Sequence, residues 1–219
     1  MNDTYLSRFW GNDYHIVLDV ADIGRSLPLL WTDIAIADQS RRLEAFKALV
    51  RQVFVHMPET SSLLLQRTTD AYLVKVRDDV VLVADRQAGD QVLSYRGFAP
   101  TVKPRFGGSV GAFYKMLDGF CDFHSMGGLL PEREIRPIGK DGNEYWTEPS
   151  SKLFETVKSK DYFHIFNSGG KGQGYINLSS TVDDDPEGLL LWVDDDEPMT
   201  DMDFWDLFDN WTSIAMEDD

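Results

Sequence analysis

Between residues 62 and 95 the sequence breaks into short β-rich runs at 63–66, 72–76, 80–84 and 92–95. They are separated at Thr68-Thr69-Asp70, Asp78-Asp79 and the polar residues 87–90. Runs this short, divided by only a few turn-forming residues, leave no room for the dozen-residue crossover that a parallel pair requires. They predict an antiparallel meander. A different grammar precedes them: Leu43, Phe46, Leu49, Val50, Val53, Phe54 and Met57 recur at three and four residues. This is the period of an amphipathic helix, with Asp38 or Ser40 available to cap its start and Pro58 expected to end it.

Pro100, Pro104 and Gly107-Gly108 resemble a linker, followed by an expected helix over 109–117 that stops at Gly119. We therefore divide the chain into 1–97, an N-terminal α+β region, and 98–219. In the second part a short helix is expected over 152–158, and strands over 162–166, 174–178 and 189–193. The last helix carries Met202, Phe204, Trp205, Leu207, Phe208, Trp211, Ile214 and Ala215 on one broad apolar face. Thr200 or Asp201 would cap it, with Asp203, Asp206 and Asp209 on the opposite side. The expected class is α+β, a central, mostly antiparallel sheet flanked by helices with an additional N-terminal α/β region. With 42% hydrophobic and 12% aromatic residues, 219 residues can build a sizeable core.

Charge is the second constraint. All 21 Lys and Arg lie at or before Lys171, whereas residues 172–219 hold 15 of the 37 acids and no base. The formal charge of −16 therefore resides almost entirely in the last 48 residues. Nucleic-acid and anionic-membrane affinity come mainly from Lys and Arg, so neither partner is expected. Such a field attracts cations or a basic protein surface. The first ten residues lack the basic and continuous apolar parts of a secretory signal, and no run approaches the ~18 apolar residues of a membrane span. A cytoplasmic protein is expected. The lone Cys121 cannot form an internal disulfide. His15, His56, His124 and His164 have no metal-ligand spacing and are read as structural.

Three motifs suggest chemistry. The residues Asn167-Ser168-Gly169-Gly170-Lys171-Gly172-Gln173-Gly174 have the glycine content of a phosphate cradle, but Lys171 is followed by Gly and a strand, where a phosphate loop needs Ser or Thr and a helix. A hairpin connection is the expected reading. Asp183, Asp185, Glu187, Gly188 and Asp194 fall at positions 1, 3, 5, 6 and 12 of a calcium loop, yet Pro186 interrupts it and the last position lacks the usual Glu. No nucleophile elbow or zinc-protease motif is present. We expect no enzyme activity, metal or cofactor. What remains is the acidity itself: Asp183, Asp184, Asp185 and Glu187 before the strand at 189–193, and Asp194, Asp195, Asp196 and Glu197 after it, with Trp192 between as a core residue or an anchor. Neighbouring extended residues are ~3.3 Å apart, inside the ~8 Å screening length, so their repulsion persists and a basic partner would relieve it.

The order of the second half carries a resemblance. Tyr162-Phe163-His164-Ile165-Phe166 runs into the glycines and then Tyr175-Ile176-Asn177-Leu178. Leu189-Leu190-Leu191-Trp192-Val193 ends in acids, and an aromatic helix closes the chain. Upstream stand Phe113-Tyr114-Lys115-Met116-Leu117-Asp118-Gly119-Phe120 and Gly127-Gly128-Leu129-Leu130-Pro131. Over residues 98–219 this pattern resembles the SUKH superfamily, which includes bacterial immunity proteins of polymorphic toxin systems and a fungal cell-wall synthesis regulator. Another group of bacterial immunity proteins, with a GAD-like N-terminal part and a type VI secretion association, has a broadly similar pattern. The resemblance implies an α+β fold and binding of a cognate toxin domain, many of which have basic substrate surfaces. The acids named above and Trp192 would then meet the toxin, with Asp203, Asp206 and Asp209 as weaker candidates. The alternatives are a regulatory or scaffolding protein of the same fold and, more remotely, a calcium-dependent or enzymatic protein.

Overall fold

The meander begins after the first of the four expected runs and extends well beyond the other three. The computed structural model describes residues 3–23, 26–36, 38–100, 103–122, 127–138, 161–182, 185–192 and 198–217. Helix α1 (Asp3–Trp10) and strand β1 (Tyr14–Ile16) lead into helices α2 (Leu29–Ile36), α3 (Gln39–Val53) and α4 (Pro58–Arg67). Strands β2 (Thr68–Val76), β3 (Asp79–Ala88) and β4 (Gln91–Phe98) precede helix α5 (Gly108–Tyr114). Then come β5 (Asp118–Asp122), β6 (Gly128–Leu129), β7 (Arg136–Pro137), β8 (Tyr162–Asn167), β9 (Gly172–Val182), β10 (Asp185–Trp192), β11 (Met199–Asp203) and the closing helix α6 (Phe204–Glu217).

The fold is α+β. All the described pairings are antiparallel, and the sheet order is β1-β2-β3-β4-β5-β6-β8-β9-β10-β11, with β7 sharing the β6 side of β8. Apart from β7 the sheet order follows chain order, as consecutive strands usually neighbour one another; the β2–β3 and β3–β4 links are too short for any other partner, whereas β1–β2 and β4–β5 are bridged by helices. The proline- and glycine-rich stretch after residue 98 lies between β4 and β5, which pair with each other. Segments 1–97 and 98–219 thus contribute to one sheet.

The period of two along the strands divides the core. Ala71, Leu73, Val80, Leu82, Ile165, Ile176 and Leu190 join the helices in one large cluster. Their neighbours face the other way: Tyr72, Val74, Val81 and Val83 meet Leu6 of α1, and Tyr162, Tyr175, Leu189 and Leu191 meet Ile138. On the helical face Arg42 of α3 bonds both carboxylate oxygens of Asp70 and the Ala71 carbonyl of β2, fixing that helix across the sheet.

Several local expectations change. Residues 63–66 are helical, not a strand, and Pro58 opens α4 instead of merely ending the preceding helix. Proline has no N–H to lose at a first helical position and its φ already suits a helix. The Leu63-Leu64-Leu65 run is too short for periodicity to distinguish the two states. Asp38 caps α3 by accepting from Arg41 N, as anticipated. Helix α5 ends at Tyr114, earlier than residue 117, and Gly119 belongs to β5. The cap of α6 is Asp203, neither Thr200 nor Asp201, because β11 continues through residue 203 and delays the helix. The expected helix at 152–158 lies outside the described residues.

Asp118 gives this architecture a measurable pH dependence. It is buried and accepts from Glu132 N at 2.6 Å; burial, with some help from the Glu132 charge, raises its pKa to about 6. A carboxyl that binds its proton more tightly in the fold stabilises the fold fully below its unfolded pKa of ~4, and that contribution is lost as pH rises through its folded value. From 3.8 to about 6 the contribution lost is roughly 3 kcal/mol. Urea unfolding between pH 4.5 and 7 should therefore show Asp118→Asn gaining on the parent as pH rises. Parallel pH profiles for the two proteins would remove this assignment.

Candidate functional site at the acidic end of the sheet

Strands β9, β10 and β11 are the last three of the sheet, and α6 packs onto β10. The base-free segment of the sequence is therefore one end of the sheet in space. Its charges have unequal surroundings, which can be traced one by one.

Asp185 opens β10 and is partly buried. Ser109 of α5 donates to its Oδ1 at 2.6 Å, and the Ser109 oxygen accepts from Trp205 Nε1 at 2.8 Å. The ring of His56, from the turn between α3 and α4, stacks on Trp205 at 5.5 Å and 17°, with Nδ1 3.8 Å from Asp185 Oδ2. Three segments far apart in sequence thus gather around one carboxylate. In a nucleophilic triad the imidazole stands between hydroxyl and carboxylate; here the carboxylate stands between, and the Ser109 hydroxyl is bonded to it and not to an imidazole. The arrangement orients Asp185. Among the described residues no three His, Cys, Asp or Glu side chains are grouped to hold a metal ion.

Asp203 accepts from Trp205 N at 2.8 Å and Asp206 N at 2.9 Å, closing the start of α6. Its carboxyl is pushed above the usual range, first by burial and then by the charges of Asp206 and Asp185, against the two N–H bonds. Proximity of like charge is thus felt at this end. Asp206 is exposed, but Asp209, expected to face water beside it, is buried: its two oxygens accept from Glu59 N at 2.9 Å and Thr60 N at 2.7 Å.

Glu187 is not a surface residue either. It is 1% exposed and accepts from Tyr162 Oη at 2.7 Å and Asn177 Nδ2 at 2.9 Å. The register of β10 on β9 shifts between Pro186 and Glu187, so two acids only two residues apart enter different surroundings. Asp185 meets Ser109 and His56, whereas Glu187 meets Tyr162 and Asn177, and the two do not converge as calcium ligands would. Trp192 is partly buried and packs against the core, its ring 4.7 Å from Trp211 of α6; of the two readings this is the core one. Asp183, Asp184, Asp194, Asp195, Asp196 and Glu197 lie outside the described residues. Asp185 and Trp192 occupy the two ends of β10, ~23 Å apart at 3.3 Å per step.

The glycine-rich motif forms the β8–β9 hairpin. Gly170 N and Gly172 N both donate to Ser168 Oγ, so those groups do not form an open phosphate cradle. His56, Ser109 and Trp205 were not singled out from sequence as neighbours of Asp185. Their separation along the chain hides the convergence, although Pro58 as a helix-start signal marks the turn that projects His56. Among the described residues no helix is long and apolar enough to cross a membrane. Comparison with known proteins finds no matching family model, no matching curated sequence and no matching solved structure.

Proposed function

We propose that the chain is an immunity protein that binds and neutralises a cognate antibacterial toxin domain through the acidic end of its sheet. The observation that carries this reading is the segregation of charge: 15 acids and no base in a segment that forms the last three strands and the helix packed on them. The resemblance of residues 98–219 to the SUKH superfamily supplies the class of partner. A negative surface of this kind can occupy a basic substrate groove, and complementary charge raises association rates ~10- to 1,000-fold.

The surroundings of individual acids narrow the contact set. Asp185, Glu187, Asp203 and Asp209 are engaged in internal bonds and Trp192 in packing, so the proposed contacts are Asp183, Asp184, Asp194, Asp195, Asp196 and Glu197, which adjoin β10 in sequence, with Asp206 exposed on α6. A partner reaching both ends of β10 spans ~23 Å, which a standard interface of ~800 Å² per side can do. The test replaces Asp183, Asp184, Asp194, Asp195 and Asp196 by Asn or Ser and Glu197 by Gln, with Glu187→Gln as the internal control. Association with the toxin should slow at least ~10-fold and lose most of its salt dependence in the six-site variant, while the control keeps both. Equal rates for parent and six-site variant would remove the acidic turns from the interface.

A further inference from the structure

A cavity of about 490 Å³ lies at the opposite end of the sheet, between α1 and the β2–β3 turn. Phe9 and Trp10 of α1, Asp13 before β1, and Val76, Arg77, Asp78 and Asp79 of the hairpin line it. The volume is within the ~300–1,000 Å³ typical of small-molecule sites. Its chemistry has two sides, aromatic rings from the helix and carboxylates from the turn and the β1 approach.

Two of the three carboxylates have cationic partners. Asp13 Oδ2 accepts from Arg77 at 3.1 Å, and Asp79 Oδ2 from Arg133 at 2.8 Å, the Arg133 guanidinium also standing 4.4 Å over the Phe98 ring. Asp78 is exposed and has no ion-pair partner among the described residues. Three Asp against one lining Arg make the cavity wall negative, and Arg133 behind it does not reverse the sign. Arg77 is, among the described residues, the one non-glycine with left-handed backbone, φ 55°, in the two-residue turn closed by Val76 and Asp79. Glycine would relieve that turn. Arginine there instead places a guanidinium on Asp13 at the cavity wall.

The geometry points to a binding site for a small organic cation, an ammonium or guanidinium on a short alkyl chain. The alkyl part packs on Trp10 and Phe9, where a cation also gains from the ring faces, and the head group reaches Asp78. An anion would meet three carboxylates. This site belongs to the nearly neutral part of the chain and stands apart from the acidic end, so it does not depend on the proposed toxin interface.

Cadaverine and agmatine, with glutarate as an anion of similar length, provide the test, followed by calorimetry and by the Trp10 indole N–H resonance. Either cation should bind saturably and shift that resonance, Asp78→Asn should weaken binding at least ~10-fold, and glutarate should leave the resonance unmoved. Asp78 is on an exposed turn, so its substitution probes the site without the packing loss that Trp10→Leu carries. The proposal is overturned by no saturable binding up to ~10 mM, by an equal response to glutarate, or by cation binding indifferent to Asp78→Asn, which would place the cation at the acidic end.

Discussion

Asp209→Ala should destabilise the protein by roughly 4 kcal/mol, and the reason is at the start of a different helix. The first N–H groups of a helix have no partner within it, and a capping side chain usually supplies one. Met57 at the cap of α4 has none to offer, and Pro58 follows it. The carboxylate of Asp209 substitutes from 149 residues away, accepting from Glu59 N and Thr60 N, while Ser213 Oγ donates to Glu59 Oε2. A negative group at a helix N-terminus also gains from the aligned peptide dipoles. At the far end of α6, Arg67 and Arg86 donate to the Met216 carbonyl, the matching arrangement of cations at a C-terminus. Alanine would leave two N–H donors without that acceptor, Thr60 N in a buried site and Glu59 N in a part-buried one, each bond worth ~1.5–3 kcal/mol when made to a charge. Asn keeps one acceptor and should lose about half as much. Urea unfolding decides it, with a melting point lower by ~10 °C for the alanine variant as a second reading. A loss below ~1 kcal/mol would mean that water caps α4 in place of Asp209.

Gly128→Ala should be more damaging still, at more than ~4 kcal/mol, because it strikes the seam of the sheet. Strand β6 is two residues long, and those two residues join β5 on one side to β8 on the other. Gly128 has φ 129°, and a Cβ there would lie 2.2 Å from Phe120 O and 2.7 Å from Cys121 Cα, backbone atoms of the strand it pairs with. Neither neighbour can rotate away. Gly89 is the control: it too has positive φ, 55°, but a Cβ meets nothing within 4 Å. Gly89→Ala should therefore cost only the ~1 kcal/mol of left-handed backbone. Thermal melts of the two variants separate strain from collision, and similar losses in both would refute the seam argument.

These two residues also show what the sequence makes legible. Short β-rich runs separated by a few turn residues disclosed the meander of β2, β3 and β4, and apolar residues at three and four disclosed α3 with its Asp38 cap, because both signals are local. The strand at Gly128 carries no such signal, since two residues have no period. Asp209 resembled its neighbours Asp203 and Asp206 on the polar side of α6, yet α4 covers that position and turns a solvated acid into a buried cap. Glu187 was misplaced for a similar reason: the register shift beside Pro186, invisible in the order of residues, sends it toward Tyr162 and Asn177. The acidic end itself was legible throughout, because total charge over 48 residues survives any uncertainty in where single side chains point. Its convergence on Asp185 was not, because His56, Ser109 and Trp205 come from three separate elements.

The central claim is that this acidic end captures a basic toxin domain. Co-expression with the product of the adjacent gene, followed by affinity purification at low and high salt and by growth rescue of cells producing that toxin, tests it most directly. The account predicts a complex that forms at low salt, weakens as salt rises, and restores growth unless the six acids of the two turns are replaced. A chain that neither retains the adjacent gene product at low salt nor restores growth would contradict it.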